Sequence, residues 1–204
     1  MSYTALKVTE AGVVLFDAHR RRLGAAWAAA FDEFAARAEP GIYGLRGAEG
    51  RLEVIRRDRS RLWSGIGVRY LVSPMVGRLG PQVKTPSPSP WDGVRQEGVA
   101  TLLTSADGSE VFESCAAAVL AWDGRGLVAT PEASPRVASI TEPFLLERHA
   151  HRRAPIQRAA GWPVVLVNAV AGACVVKMEG AEFPASIQEA LNHSIAQSAR
   201  RSPP

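Results

Sequence analysis

The chain has 204 residues, 47% of them hydrophobic and 22% charged, which is the composition of an ordinary globular protein with enough length for one large or two small cores. No apolar run approaches the length that spans a bilayer, and residues 1–20 lack a basic-then-apolar leader, so no membrane partner is expected and a cytoplasmic location is. The net charge of +4 invites a nucleic-acid reading, but the arginines are interleaved with acids along the whole chain and no aromatic-basic motif accompanies them, so no nucleic-acid partner is expected.

Residues 3–8 and 13–16 read as strands joined at Glu10-Ala11-Gly12. Asp17 is placed to cap a helix over about 17–38, whose Leu23, Trp27, Ala30, Phe31 and Phe34 recur at helical spacing. His19-Arg20-Arg21-Arg22 opens it, which on its own reads as a solvated basic turn. Residues 42–46 and 51–55 form a hairpin around Gly47-Ala48-Glu49-Gly50 and complete a small N-terminal domain; 68–72 is a further strand.

Four prolines between Gly80 and Asp92 exclude a regular element over most of that stretch, and composition alone makes it a flexible proline-serine linker. It nevertheless holds Lys84. Of the 24 basic residues only three are lysines, Lys7, Lys84 and Lys177. An arginine keeps its proton near neutral pH and forms no Schiff base, so each lysine is a candidate for chemistry that the arginines cannot do, or a leftover.

Residues 99–104 start a central sheet and Asp107-Gly108 turns the chain into a strand that ends at Glu113. The small-residue run 114–118 leads to an apolar strand at 119–122, the turn Asp123-Gly124-Arg125-Gly126 and a return strand at 127–130. A proline-punctuated loop then reaches a helix over 141–153, with Thr141 as N-cap and Pro143 in its first turn. An acid on a sheet followed by an open helix N-terminus suits a ligand with a protonatable ring at one end and a phosphate at the other. His149 and His151 fall on different sides of such a helix and share no metal; no metal ligand set is expected.

Residues 164–167 are a buried strand, Asn168 to Gly172 a turn, and 173–177 the next strand. A last helix is capped by Ser186 with Glu189 completing a capping box, and presents Ile187, Ala190, Leu191 and Ile195 to the core. Cys115 and Cys174 have no motif spacing and read as separate buried thiols.

The order and spacing of these pieces resemble the class IV (fold type IV) aminotransferase family, which includes branched-chain and D-amino-acid aminotransferases and 4-amino-4-deoxychorismate lyases. The family pattern E-x-x-x-x-N-x-F, then T-P-P, then G-x-L-x-G-x-T-R, is matched by Glu113 to Val119, Ala129-Thr130-Pro131 and Pro135 to Glu142. Its H-x-x-R-L is matched by His19 to Leu23, and its N-A-L-x-G by Asn168 to Gly172.

The resemblance implies an α+β fold, a pyridoxal 5′-phosphate (PLP) cofactor and a homodimer. It divides the chain into a small domain over 1–78, a connector over 79–90 and a PLP-binding domain over 91–204. It makes Lys84 the catalytic Schiff-base lysine, with Trp91, Asp92 and Arg95 matching the segment that follows, and Glu113 the partner of the pyridine nitrogen. Arg22, Ile140 and Thr141 would hold the phosphate, and Asn168, Ala169 and Val170 would border a small-molecule substrate, an amino acid or an amino-chorismate. N-A-V-A-G tilts the choice slightly toward the lyase branch.

The sequence also departs from the pattern. The family's first two strands and G-D-G segment have no counterpart before Tyr3, and Ala118, Ser139 and Glu142 replace an asparagine, a glycine and an arginine. Glu142 sets a carboxylate near the expected phosphate, repulsive if it points inward. Hence an alternative reading: a degenerate member that keeps the fold and dimer and acts as a binding or scaffold protein.

Overall fold

Antiparallel strands β1 (Ser2–Thr9), β2 (Gly12–Val13), β3 (Gly41–Ala48) and β4 (Arg51–Arg57) form the first sheet, in the order β2-β1-β3-β4. The structure is a computed structural model, and it describes residues 2–57, 66–74, 76–77, 92–94 and 96–201. The β3–β4 turn falls on Glu49 and Gly50, whose φ of 50° and 77° are the two positive values that a two-residue hairpin loop needs.

Helices α1 (Phe16–Leu23) and α2 (Ala28–Arg37) cover this sheet. They replace the single helix expected over 17–38. Gly24, at φ 89°, leaves helical space, and a 3-10 turn at Ala25–Trp27 reorients the chain before α2. The break lets both helices reach one core: Phe16 and Phe31 rings lie 5.1 Å apart, with Leu6, Leu23 and Leu45 packed around them. The strand expected at 13–16 stops at Val13, because Leu15 turns left-handed (φ 54°) and starts α1.

The rest of the described chain forms β5 (Gly67–Val72), β6 (Val99–Thr104), β7 (Glu110–Ser114), β8 (Ala118–Trp122), β9 (Leu127–Ala129), α3 (Thr141–Leu146), β10 (His151–Arg153), β11 (Ile156–Gln157), β12 (Val164–Asn168), β13 (Gly172–Val175) and α4 (Ala185–Gln197). These make two sheets, β11-β7-β6-β5 and β10-β9-β8-β12-β13. β5 runs parallel to β6 over six residue pairs and so joins the sheet of β6, β7 and β11.

The five-stranded sheet is buried on both faces, which is why residues 164–167 read as an unbroken apolar run. Val119, Ala121, Val164 and Leu166 face the other sheet; Leu120, Val165 and Val167 face α3 and α4, where Leu145, Leu191 and Ile195 meet them. Each such aliphatic side chain contributes about 1.5–3 kcal/mol by leaving water. The helix expected to continue to 153 stops at Leu146. The free edge of β9 takes the following residues instead, pairing with β10 in parallel, and Leu127 N–H donates to the Ala150 carbonyl at 3.0 Å. His149 is thus outside the helix, 3.0 Å from Ser194 Oγ, and His151 is exposed on β10.

Helix α4 begins at Ala185 after Pro184 and has no side-chain cap, so the capping box expected at Ser186 and Glu189 is not formed; Ala190, expected in the core, is exposed. After α4 the chain returns to the first lobe. Arg200 bridges Val13 through both backbone groups, and Ser198 Oγ accepts the Leu15 N–H at 3.0 Å, which fixes the left-handed start of α1. No disulfide joins half-buried Cys115 to buried Cys174. Among the described residues no helix is long and apolar enough to cross a membrane.

Candidate functional site

The loop between β9 and α3 gathers the residues on which the resemblance turns. Val137 N–H donates to Glu113 Oε2 at 3.0 Å, and the next residue's carbonyl, Ala138, accepts from Arg22 Nη2. Two residues thus join an acid 24 positions upstream to an arginine 116 positions upstream.

Glu113 comes from β7, opposite Leu103, beside a register shift in β6 between Leu103 and Thr104. Such a shift re-aims side chains locally. The residue is buried, 4% exposed, and the Val137 amide fixes the orientation of its carboxylate.

Arg22 lies in the last turn of α1, and burial pushes its guanidinium down to about 10. It stays a cation at neutral pH. Among the described residues its hydrogen-bond partner is a neutral carbonyl, and no carboxylate forms an ion pair with it. A half-buried cation without a counter-ion carries a desolvation cost, and an anionic ligand would relieve it. One turn earlier, fully buried His19 sets Nδ1 2.6 Å from Thr4 Oγ1 and ties α1 to β1.

At the start of α3 the cap differs from expectation. Thr141 is the first helical residue, 1% exposed, and the capping oxygen is Ser139 Oγ, which accepts the N–H groups of Thr141 at 3.2 Å and Glu142 at 3.1 Å. A hydroxyl placed two residues before the helix thus satisfies the first two amide donors of α3, in place of a cap by Thr141 on later ones. Having accepted two bonds, it retains its own hydrogen to donate.

Glu142 does not point a bare carboxylate at the loop. It is 1% exposed and forms a two-pronged pair with Arg136, Nη1 to Oε2 at 2.7 Å and Nη2 to Oε1 at 3.0 Å. Arg153 from β10 adds a third bond, Nη1 to Oε1 at 2.9 Å. The repulsion expected from the sequence is therefore offset by two arginines. Neither arginine was singled out; the signal was a pair of opposite charges six positions apart around Val137 to Thr141.

Asn168 closes its own turn. Its Oδ1 accepts Val170 N–H at 2.9 Å and Ala171 N–H at 2.7 Å, while Nδ2 donates to the Ala116 carbonyl at 3.1 Å, three residues past Glu113. The Val170 amide expected at a substrate is thus engaged within the turn, and Ala169 packs in the core at 5% exposure. Lys84, Trp91 and Arg95 lie outside the described residues, and Asp92 opens a short 3-10 turn, Asp92–Val94. Lys7 and Lys177 are exposed, on β1 and beyond β13. Among the described residues no cluster of His, Cys, Asp and Glu could hold a metal ion.

The arrangement suits a ligand that is anionic at one end, for Arg22 and the Ser139 hydroxyl, and cationic at the other, for Glu113.

No family model matches the sequence, and no curated protein does. Solved structures do match. A hypothetical aminotransferase from Mycobacterium tuberculosis, in its PLP-bound form, is 18% identical with a TM-score of 0.70, the match covering 97% of this chain and 88% of that one. The 4-amino-4-deoxychorismate lyase from Pseudomonas aeruginosa is 16% identical with a TM-score of 0.66, over 96% of this chain and 90% of that one. A fold IV transaminase from Curtobacterium pusillum is 16% identical with a TM-score of 0.62, over 97% and 84%. The α+β fold of this chain is the fold type IV architecture shared by these aminotransferases and lyases.

Proposed function

We propose that this protein is a PLP-dependent enzyme of the class IV aminotransferase kind, acting as a cytoplasmic homodimer. Its reaction would be transamination of an amino acid or elimination of pyruvate from 4-amino-4-deoxychorismate. The observation that carries the reading is the pairing, through Val137 and Ala138, of a buried carboxylate with a half-buried guanidinium that has no ion pair among the described residues. PLP fits that donor set, with a dianionic phosphate for Arg22 and a protonatable ring nitrogen for Glu113.

In this reading Arg22, the Ser139 and Thr141 hydroxyls and the Ile140 N–H would hold the phosphate. Glu113, oriented by the Val137 amide, would face the pyridine nitrogen and favour its protonated form. PLP, when bound, supplies an electron sink for the pair released at the substrate's α-carbon. Lys84, assigned by the sequence resemblance, is the covalent anchor and the amine that moves the α-proton. The Asn168 turn borders the substrate side, where its rigid Asx geometry limits the substrate's shape.

One observation favours a second reading. Ser139 satisfies the first amides of α3 from within the chain, as in a protein that has lost phosphate binding. The protein would then be a degenerate homodimer that binds or scaffolds. Turnover separates the two. The PLP-treated protein is assayed with L- and D-amino acids plus a keto acid, and for pyruvate released from 4-amino-4-deoxychorismate. Turnover in either assay that is lost in Lys84→Ala supports the enzyme. Inactivity in both assays supports the scaffold.

A further inference from the structure

Residues 137–141 make both site contacts yet have little regular structure of their own, so something else must fix their course. The two residues that flank them are Arg136 and Glu142, joined as a planar fork with both side chains buried, at 6% and 1% exposure. Arg153 closes the outer ring: its Nη1 donates to Glu142 Oε1 at 2.9 Å and to the carbonyl of Thr130, at the loop's other end, at 2.8 Å. The loop is therefore drawn shut at its base, and the shortest segment, 137–141, is left arched toward Glu113 and Arg22.

A buried ion pair is a poor stabiliser compared with apolar residues of the same size, so its use here calls for another purpose. A two-pronged pair sets both distance and plane, which an apolar contact does not. We infer that Arg136 and Glu142 are positioning residues. Their pair holds the 137–141 arch so that Val137 N–H meets Glu113 while the Ala138 carbonyl meets Arg22, setting the spacing between the carboxylate and the guanidinium. This rests on the reading of those two groups as ligand contacts. The pair touches no ligand itself.

The test uses the full chain with Arg136→Met and Glu142→Met combined, which removes both members of the pair and leaves Arg153 its ion pair with Glu132. Two quantities are read: amide hydrogen exchange over 134–142 without ligand, and PLP affinity by absorbance titration. The expected result is a melting temperature near that of the unaltered protein, exchange at 137–141 at least about tenfold faster, and PLP binding about tenfold weaker. Unchanged exchange and affinity would overturn the inference and leave the pair as packing.

If the unaltered protein takes up no PLP, the functional reading fails by itself, and the exchange data still decide whether the pair holds the loop. Should the double variant not fold, Glu142→Gln keeps one accepting oxygen and is read the same way. Faster exchange confined to 137–141 supports the inference; exchange unchanged there, or raised across the whole chain, contradicts it.

Discussion

The turn at 123–126 and the loop at 130–142 leave the same β8–β9 hairpin and are built on opposite principles. In the turn the backbone's course is set locally. Asp123 Oδ1 accepts the N–H groups of Arg125 and Gly126 at 2.9 and 3.0 Å, and these bonds, led by the one from Arg125 and joined by Arg152 Nε from β10 at 2.9 Å, lower its carboxyl to about 2. The loop is held from afar, by Glu113, Arg22 and Arg153, each on a different element. The turn's shape follows from its own residues. The loop's shape is a property of the folded protein, and the candidate chemistry lies there.

That contrast can be broken in four places. The largest effect is expected from Glu142→Ala. It leaves Arg136 buried with no ionic partner and should cost about 3–5 kcal/mol in denaturant unfolding. Arg22→Met should weaken PLP by about thirtyfold, about 2 kcal/mol, while binding of pyridoxal, which lacks the phosphate, stays unchanged. Equal weakening of both ligands would place Arg22 outside the anion site.

A smaller effect is expected at the turn, and it appears only in acid. The folded value for Asp123 lies below its ordinary 3.8, so its contribution is fully present above 3.8 and fades as pH falls toward about 2. Asp123→Asn should flatten that part of the acid-unfolding curve and leave PLP binding untouched. The smallest effect is at His149. Burial and neighbouring Arg148 lower its value from 6.5, so the neutral ring is the stable form; its contribution holds above 6.5 and is lost as pH drops through the lower folded value. A melting temperature in His149→Asn that falls as steeply as in the unaltered protein over that range would contradict this.

The same division explains what the sequence told in advance. Strand β6 over 99–104 and the hairpin at Glu49-Gly50 were legible because a short apolar run and turn chemistry are carried by neighbouring residues. The break at Gly24, the early end of α3 and the Ser139 cap were not. Each depends on a distant claim: a shared aromatic core, the open edge of β9, a hydroxyl two residues outside the expected cap. Glu113 was found because a motif surrounds it. Arg136 was missed because its partner is selected by the folding of the loop. The resemblance supplied Lys84, which lies outside the described residues, and no local pattern in the proline-serine stretch distinguishes it from a linker lysine.

The most direct test is an absorption spectrum of the purified protein with added PLP, followed by borohydride reduction and peptide mapping. The account predicts an absorption band from PLP bound to a lysine and a reduced adduct on the peptide that carries Lys84. No band, or an adduct spread over exposed Lys7 and Lys177, would contradict it and leave a fold type IV protein without the chemistry.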